Sequence, residues 1–390
     1  MAFKDVVQDI EGFTEIQHEI EILRKHGPGL THRRGEVARV VAALHPARVR
    51  LEVAAILPET PSTRTLRLVS PEGYLPPFQA GQYINLFVDV GGVRTSRPFS
   101  ISSSPTQTGH YDLTVRRVAD GFVSDYLLDE GRVGNTFEGT SPAGSFTYNP
   151  LFHGRDLVFL AGGSGITPFM SMIREVADRG LKRNIQLVYG TRSPVDVIFG
   201  PELAVIAGRH PNVTCDVVVS DPPPGYAGRT GLLTAACISD CIGDIDGKMF
   251  YVCGPEAMYP VVDAALAELG VERRRVRREV FGLPRDVTRQ PGWPPGVPAY
   301  AEFTVTLEGG RTCGVRAGEP LMASLERHGI VMPSQCRTGE CSLCRARLVS
   351  GQVYQPPGVK LRQSDRRFGY IHPCAAYPLS NLALGLRAGE

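Results

Sequence analysis

The 390-residue chain has almost no net charge: 42 Lys and Arg stand against 40 Asp and Glu, a formal +2 at neutral pH. A nucleic-acid partner would call for a strong basic excess, so none is expected. No run approaches the ~20 consecutive apolar residues of a membrane-spanning helix. Near the start, Asp5 and Asp9 stand where a secretion signal needs an apolar stretch. A soluble, cytoplasmic protein without a membrane span is the expectation. Internal repeats are missing as well. The nine cysteines are an odd number. Four cluster between positions 336 and 374 and five are scattered, unlike a secreted disulfide framework. With 42% apolar and 21% charged residues, ordinary globular cores can form. The length suggests roughly two to three domains.

Val6, Ile10, Phe13, Ile16, Ile20 and Leu23 recur at steps of three and four, so residues 5–25 read as an amphipathic helix ended by Gly27-Pro28-Gly29. A second short helix is expected over 36–44, stopped at Pro46. From Arg48 to about Tyr148 the texture changes to short alternating strands with frequent turns, among them 50–56, 65–69, 83–90 and 111–117, which favours an antiparallel barrel. Leu157-Val158-Phe159-Leu160 then leads into Ala161-Gly162-Gly163-Ser164-Gly165 and a helix, with Thr167 as its N-cap, Pro168 as its first residue and Gly180 at its end. Strand-like runs at 185–189, 213–220 and 249–253, with helical segments between some of them, predict a parallel sheet flanked by helices. Residues 291–296 are proline or glycine except for Trp293, a semi-rigid linker. The expected division is a helical extension at 1–46, a barrel at 47–152, an α/β domain at 153–282, a linker at 283–299 and a final domain at 300–390.

Cys336-x4-Cys341-x2-Cys344, with Cys374 much later, matches the plant-type arrangement for a [2Fe–2S] cluster. A short loop must offer three thiolates while the fourth arrives from elsewhere in the fold. Gly339 and Ser342 keep that loop small, so backbone N–H groups can approach the sulfurs. Four thiolates also suit tetrahedral zinc, but zinc ribbons use two C-x2-C knuckles and here there is one. Cys313, Cys215, Cys237 and Cys241 read as core thiols.

Arg97-Pro98-Phe99-Ser100 and Gly121-Phe122-Val123-Ser124 are each weak signals, since an arginine before a strand is usually a surface charge. Together with Ala80-Gly81-Gln82-Tyr83 and Ser141-Pro142-Ala143-Gly144-Ser145-Phe146, they resemble the flavin-binding pattern of the ferredoxin–NAD(P)H reductase superfamily. The resemblance implies that Arg97 pairs with flavin phosphate, that Phe99 beside Pro98 packs on the isoalloxazine, and that Ser100 hydrogen-bonds near its N5. It makes Arg116 a second cation near the phosphates. Gly121, Phe122, Val123 and Ser124 would offer backbone N–H groups at a helix start, where an anion is favoured. The family usually has tyrosine at position 99, so a hydroxyl is lost here.

Gly162, Gly163, Gly165, Thr167 and Pro168 do not fit the G-x-G-x-x-G fingerprint but resemble the superfamily's own glycine-rich turn for a pyrophosphate. Cys253-Gly254-Pro255-Glu256-Ala257-Met258 resembles its second nicotinamide motif, which would put Cys253 beside the carbon that gives up hydride. Read alone, Cys253 also suits a core thiol ending a buried strand. Glu279 and Phe281 resemble the segment that covers the flavin in relatives. Ser100, Cys253 and Glu279 are therefore the catalytic candidates. Arg192 could hold a 2′-phosphate, but Asp196 follows it; NADH is favoured and NADPH stays open.

The order flavin domain, nicotinamide domain, linker and [2Fe–2S] domain, over residues 48–390, is similar to that of phthalate dioxygenase reductase and the reductases of phenylacetyl-CoA oxygenation and of the hybrid-cluster protein. It implies a β-grasp ferredoxin domain at the C-terminal end. It also implies an enzyme that passes a hydride from NAD(P)H to a flavin and single electrons through the cluster to an oxygenase or another metalloenzyme. The hydride step would depend mostly on positioning. FAD is favoured, with Phe146 and Tyr148 as a surface for adenine, and FMN stays open. A non-catalytic electron-relay subunit, or reverse operation reducing NAD, are the alternatives. Residues 300–390 carry eleven Lys and Arg against seven Asp and Glu, an excess that suggests an acceptor with an acidic docking face. The resemblance leaves the N-terminal helices unassigned, between structural support and a docking element.

Overall fold

The computed structural model describes residues 13–26 and 30–386. Two helices come first, α1 (Phe13–His26) and α2 (Leu30–Leu44), in a unit of their own, residues 1–47. The expected first turns of α1 and the Gly27-Pro28-Gly29 stop lie outside the described residues. α2 starts six residues before the expected 36, because it runs through Gly35. Glycine inside a helix costs only about 1 kcal/mol relative to alanine, and the flanking residues outweigh it.

The second unit, residues 48–390, opens with six antiparallel strands. These are β1 (Val49–Thr60), β2 (Thr63–Val69), β3 (Tyr83–Val90), β4 (Val93–Ser100), β5 (Tyr111–Arg116) and β6 (Thr136–Gly139), with α3 (Phe122–Asp129) between the last two. They lie in the order β4-β3-β6-β1-β2-β5, and a bridge between Ile101 and Leu113 joins the two ends. Alternation turns Leu51, Val53, Leu66, Leu68, Ile84 and Leu86 into the barrel core. Arg97 to Ser100 lie within β4, not ahead of a strand, because the Gly91-Gly92 turn, with φ of 59° and 78°, folds that segment back onto β3.

The next sheet is wholly parallel. It comprises β7 (Asp156–Gly162), β8 (Asn184–Thr191), β9 (Val213–Val219), β10 (Arg229–Thr230), β11 (Met249–Gly254) and β12 (Val276–Val280). The intervening helices are α4 (Ile166–Arg179), α5 (Gly200–Arg209), α6 (Ala235–Ile242) and α7 (Met258–Glu268). The order β10-β9-β8-β7-β11-β12 grows outward from β7 in one direction, then resumes on its other side at β11. That reversal opens a crevice past the C-terminal ends of β7 and β11, where open α/β sheets bind ligands. One expectation is corrected: Thr167 is not the cap of α4. Gly163–Gly165 already form a helical turn, so Gly165 is the boundary, and the Thr167 hydroxyl instead donates to Ser164 O at 3.0 Å.

The C-terminal domain is the expected β-grasp. β13 (Glu302–Leu307), β14 (Thr312–Arg316), β15 (Ala346–Ser350), β17 (Tyr370–Ile371) and β19 (Leu382–Gly385) form one sheet; β16 (Val353–Tyr354) pairs with β18 (Tyr377–Pro378). Leu321, Met322 and Leu325 of α8 (Leu321–Arg327) pack against this sheet, and α9 (Gln363–Arg367) is a single short turn further on. The linker is tied down: the Trp293 ring sits 5.2 Å from Tyr354 and 6.4 Å from Tyr377, and Tyr354 Oη donates to Pro291 O at 2.9 Å. No described helix is long and apolar enough to cross a membrane.

Candidate functional site

One crevice of about 1530 Å³ runs from the barrel to the cysteine loop. Arg97 to Ser100, Arg116, Gly121 to Ser124, Thr167, Glu279 and Phe281 line it, together with Cys336, Cys341 and Cys374. Gly162, Gly163, Gly165, Pro168, Cys253, Gly254, Pro255, Met258 and Cys344 are not among the residues that line it, and Arg192 is exposed at the end of β8.

Arg97 is half-buried and donates from Nη1 to Thr95 Oγ1 (2.9 Å) and Ser96 O (2.7 Å). Among the described residues it meets no carboxylate directly. Burial, with Arg337 nearby, pulls its guanidinium down to about 10. A half-buried cation that no carboxylate touches favours an anion beside it, so a flavin phosphate fits. Across the crevice, α3 begins at Gly121 with no side-chain cap, leaving its first N–H groups open. A Cβ at Gly121 would meet Ser124 Oγ at 2.0 Å and Val118 O at 2.9 Å, so only glycine fits this turn. Arg116 pairs with Asp196 at 3.5 Å, and its Nη1 would lie 2.4 Å from a Cβ on Gly163. It thus joins the barrel to the glycine-rich turn while lining the crevice.

The three catalytic candidates come together. Cys253 lies opposite Glu279 in the β11–β12 register, and Ser100 Oγ donates to Glu279 Oε2 at 3.4 Å. Burial lifts the Glu279 carboxyl to about 8, against the Ser100 hydrogen bond that favours its charged form. Cys253 is 0% exposed, and burial pushes its thiol well up, so it stays protonated. The two nicotinamide motifs touch, since a Cβ at Gly165 would lie 2.2 Å from Cys253 O. Met258 packs beneath Gly162 and Gly254.

Three of the four clustered cysteines are buried and Cys341 is exposed. Arg337, Gly339 and Ser342 take φ of 54°, 82° and 60°, which turns the loop N–H groups inward. Those of Thr338, Glu340 and Cys341 lie 3.5, 3.3 and 3.3 Å from Cys336 Sγ. The donor set therefore fits negatively charged sulfur. Cys313 is buried in the domain core, and Cys215, Cys237 and Cys241 are half-buried at the edges of theirs.

Sequence reasoning missed several residues. Tyr259 Oη accepts from Gly254 N (3.2 Å) and donates to Glu279 O, clamping the second nicotinamide motif to β12. Arg273 and Arg277 line the crevice, and the run Arg273-Arg274-Arg275-Val276-Arg277-Arg278 was the available signal. Phe146 is 4% exposed with its ring against Phe169 and Tyr251, while Tyr148 lies beneath Arg183 and donates to Gly154 O. Both aromatics pack on the α/β core, and Phe146 also lines the crevice.

Three family models match in order. An oxidoreductase FAD-binding domain covers residues 51–148, an oxidoreductase NAD-binding domain 159–264 and a 2Fe-2S iron-sulfur cluster binding domain 305–379. The ferredoxin reductase component of 3-ketosteroid-9-alpha-monooxygenase from Mycolicibacterium smegmatis is 31% identical over 358 residues, 85% of this chain and 95% of that protein. The glycine betaine monooxygenase reductase subunit of Pseudomonas aeruginosa is 28% identical over 344 residues, 84% of this chain and 93% of that protein. The solved structure of phthalate dioxygenase reductase superposes with a TM-score of 0.64 at 25% identity, over 87% of this chain and 98% of that one.

Proposed function

We infer the function from membership: the chain belongs to the ferredoxin–NAD(P)H reductase superfamily, in the branch that joins FAD-binding, NAD-binding and plant-type [2Fe–2S] domains, and it is an oxidoreductase. The reading is an NADH-dependent reductase that passes single electrons through its cluster to an oxygenase; both relatives above are reductase components of monooxygenases. Bound FAD supplies the conversion of a two-electron hydride into one-electron transfers.

The chain's own residues bind and orient. Arg97, Arg116 and the N–H groups of Phe122, Val123 and Ser124, in the turn that Gly121 makes possible, hold the flavin phosphates, and Phe99 beside Pro98 packs on the ring. Gly162, Gly163, Gly165, Thr167 and Pro168 let the nicotinamide dinucleotide approach the backbone. Cys253, with Gly254, Pro255 and Met258, places the nicotinamide. Ser100 positions the flavin edge, Glu279 holds a proton beside Ser100 Oγ at neutral pH, and Phe281 covers the crevice mouth. Cys336, Cys341, Cys344 and Cys374 ligate the iron. NADH is the proposed donor, and Arg192 is where a 2′-phosphate would be accepted. The corresponding domain limits are 47–152, 153–282 and 300–390, with an extension at 1–46 and a linker at 283–299; the location is the cytoplasm.

The acceptor is read as acidic. Arg362, Arg366 and Arg367 are exposed on the segment that wraps the cysteine loop, where Asp365 pairs with Arg345 and Lys360 N donates to Gly339 O. Long-range attraction there would steer a carboxylate-rich partner to the exposed Cys341.

The observation that carries this reading is the continuity of one crevice from the flavin motif to the cysteine loop. The test is an anaerobic NADH titration of the purified protein. Flavin absorbance should bleach and a reduced-cluster EPR signal should follow. A flavin that NADH cannot bleach would favour the relay-subunit reading instead.

A further inference from the structure

The cysteine loop and the flavin strand are joined by a buried polar chain that neither motif requires. Glu326 on α8 and Arg337, the residue after Cys336, form a two-pronged ion pair with both contacts at 2.7 Å. The pair is shared with the barrel. Thr95 on β4 donates its hydroxyl to Glu326 Oε2 at 2.8 Å and accepts from Arg97 Nη1 at 2.9 Å. Arg337 Nη1 also donates to Ser96 Oγ at 3.0 Å. Asn85 on β3 adds a second tie, from Nδ2 to Ser96 Oγ (2.9 Å) and to Ser334 O (3.1 Å). Thr95, Ser96, Asn85, Ser334 and Glu326 are all buried. An unbroken series of contacts, Arg97 to Thr95 to Glu326 to Arg337, thus leads from the arginine of the flavin motif to the neighbour of a cluster ligand.

A buried ion pair adds little stability over well-packed apolar residues, so stability does not account for this network. Its physical distinction is geometric. Apolar surfaces can slide by a fraction of an ångström at small cost, whereas a fork-on-fork pair with directional donors cannot. Any slip would leave a buried charge or hydroxyl short of a partner.

We propose that Thr95, Ser96 and Asn85 are positioning residues that use the Glu326–Arg337 pair as a latch, fixing the cysteine loop in one register against the flavin strand for the electron step between them. The proposal rests on the reductase reading above. In that step one electron leaves the reduced flavin and enters the oxidised cluster, and no bond is made or broken. The external acceptor then removes the electron from the cluster.

The test compares the Thr95→Val and Thr95→Ser holoenzymes with wild type. Valine keeps the shape and removes the hydroxyl; serine restores it. Stopped-flow absorbance should show NADH reducing the flavin at the wild-type rate in both variants. Cluster reduction should slow several-fold in T95V, because electron transfer falls off with the separation and coupling of the two centres, and recover in T95S. Iron content and the cluster EPR line shape should stay unchanged. Hydrogen–deuterium exchange should rise in T95V at residues 95–97 and 334–337, and this readout needs no turnover. Unchanged cluster reduction in T95V, equal slowing of flavin and cluster, or no recovery in T95S would overturn the latch. A wild-type flavin that NADH cannot reduce would instead sink the reductase reading, and exchange at those two segments would still decide the latch: wild-type protection in T95V would overturn it.

Discussion

Gly165→Ala should disable the nicotinamide end of the crevice and leave the flavin and cluster sites in place. Its backbone is ordinary, with φ −63° and ψ −6°, so alanine meets no conformational penalty there. The obstacle is space. The added Cβ would lie 2.2 Å from Cys253 O, 2.5 Å from the Cys253 carbonyl carbon and 2.7 Å from Gly254 N. All three are backbone atoms at the end of β11 and cannot rotate away. Restoring van der Waals contact, at about 3.5 Å or more between carbons, needs a shift of about 1 Å between α4 and β11. Overpacking of this kind costs about 1–3 kcal/mol, and rigid backbone neighbours put the site at the upper end. A 1 Å misplacement of the nicotinamide would slow flavin reduction about 100-fold. Thermal unfolding followed by circular dichroism measures the first effect and stopped-flow bleaching by NADH the second. Flavin absorbance and cluster EPR confirm that both other groups remain bound. Gly180→Ala is the control. Its φ is +59° and nothing lies within 4 Å of the added Cβ, so it costs about 1–2 kcal/mol of backbone strain and leaves flavin reduction alone. G165A that bleaches its flavin like wild type, or G180A that loses as much, would refute the packing argument.

Arg97→Ala removes the half-buried cation proposed to face the flavin phosphates. It should weaken FAD binding by about 1.5–3 kcal/mol, on the order of 10- to 100-fold in Kd by fluorescence titration; an unchanged Kd would remove Arg97 from the phosphate site. Cys341→Ser should abolish the reduced-cluster EPR signal while NADH-dependent dye reduction through the flavin persists, whereas Cys313→Ser should leave the signal intact. For Glu279→Gln the sign is definite. The folded carboxyl sits near 8 against an ordinary 4.5, so the folded protein binds that proton more tightly than the unfolded chain. Its contribution to stability is full below pH 4.5 and is lost as pH rises to about 8. Relative to E279Q, wild type should therefore lose stability across that window, by up to about 1.4 kcal/mol per pH unit, reduced because solvent reaches the open crevice. Unfolding midpoints that run parallel with pH would contradict it.

Much of the site was legible because its signals are local. Cys336, Cys341 and Cys344 sit within nine positions, and Arg97 to Ser100 and Gly162 to Pro168 are contiguous runs. The strand at 83–90 matches its expected limits because an apolar, β-branched run ends at the Gly91-Gly92 turn. Misreadings arose where a residue type has two uses. Thr167 looks like a helix cap, but a helical Gly-Ser-Gly turn precedes it. Phe146 faces the crevice and at the same time fills the α/β core, two uses that its place in the sequence does not separate.

By itself the sequence determined which elements form, in what order, and which short motifs bring a flavin, a nicotinamide and a cluster into one chain, because periodicity and spacing act over a few residues. Only the tertiary structure decided that Ser100 meets Glu279 across 179 positions, that Thr95 reaches Glu326 across 231, and that Asn85 reaches Ser334 across 249. Such contacts depend on how three folded surfaces dock. The energy of a buried polar group is set by whichever partner the docking supplies, and no spacing along the chain records that partner.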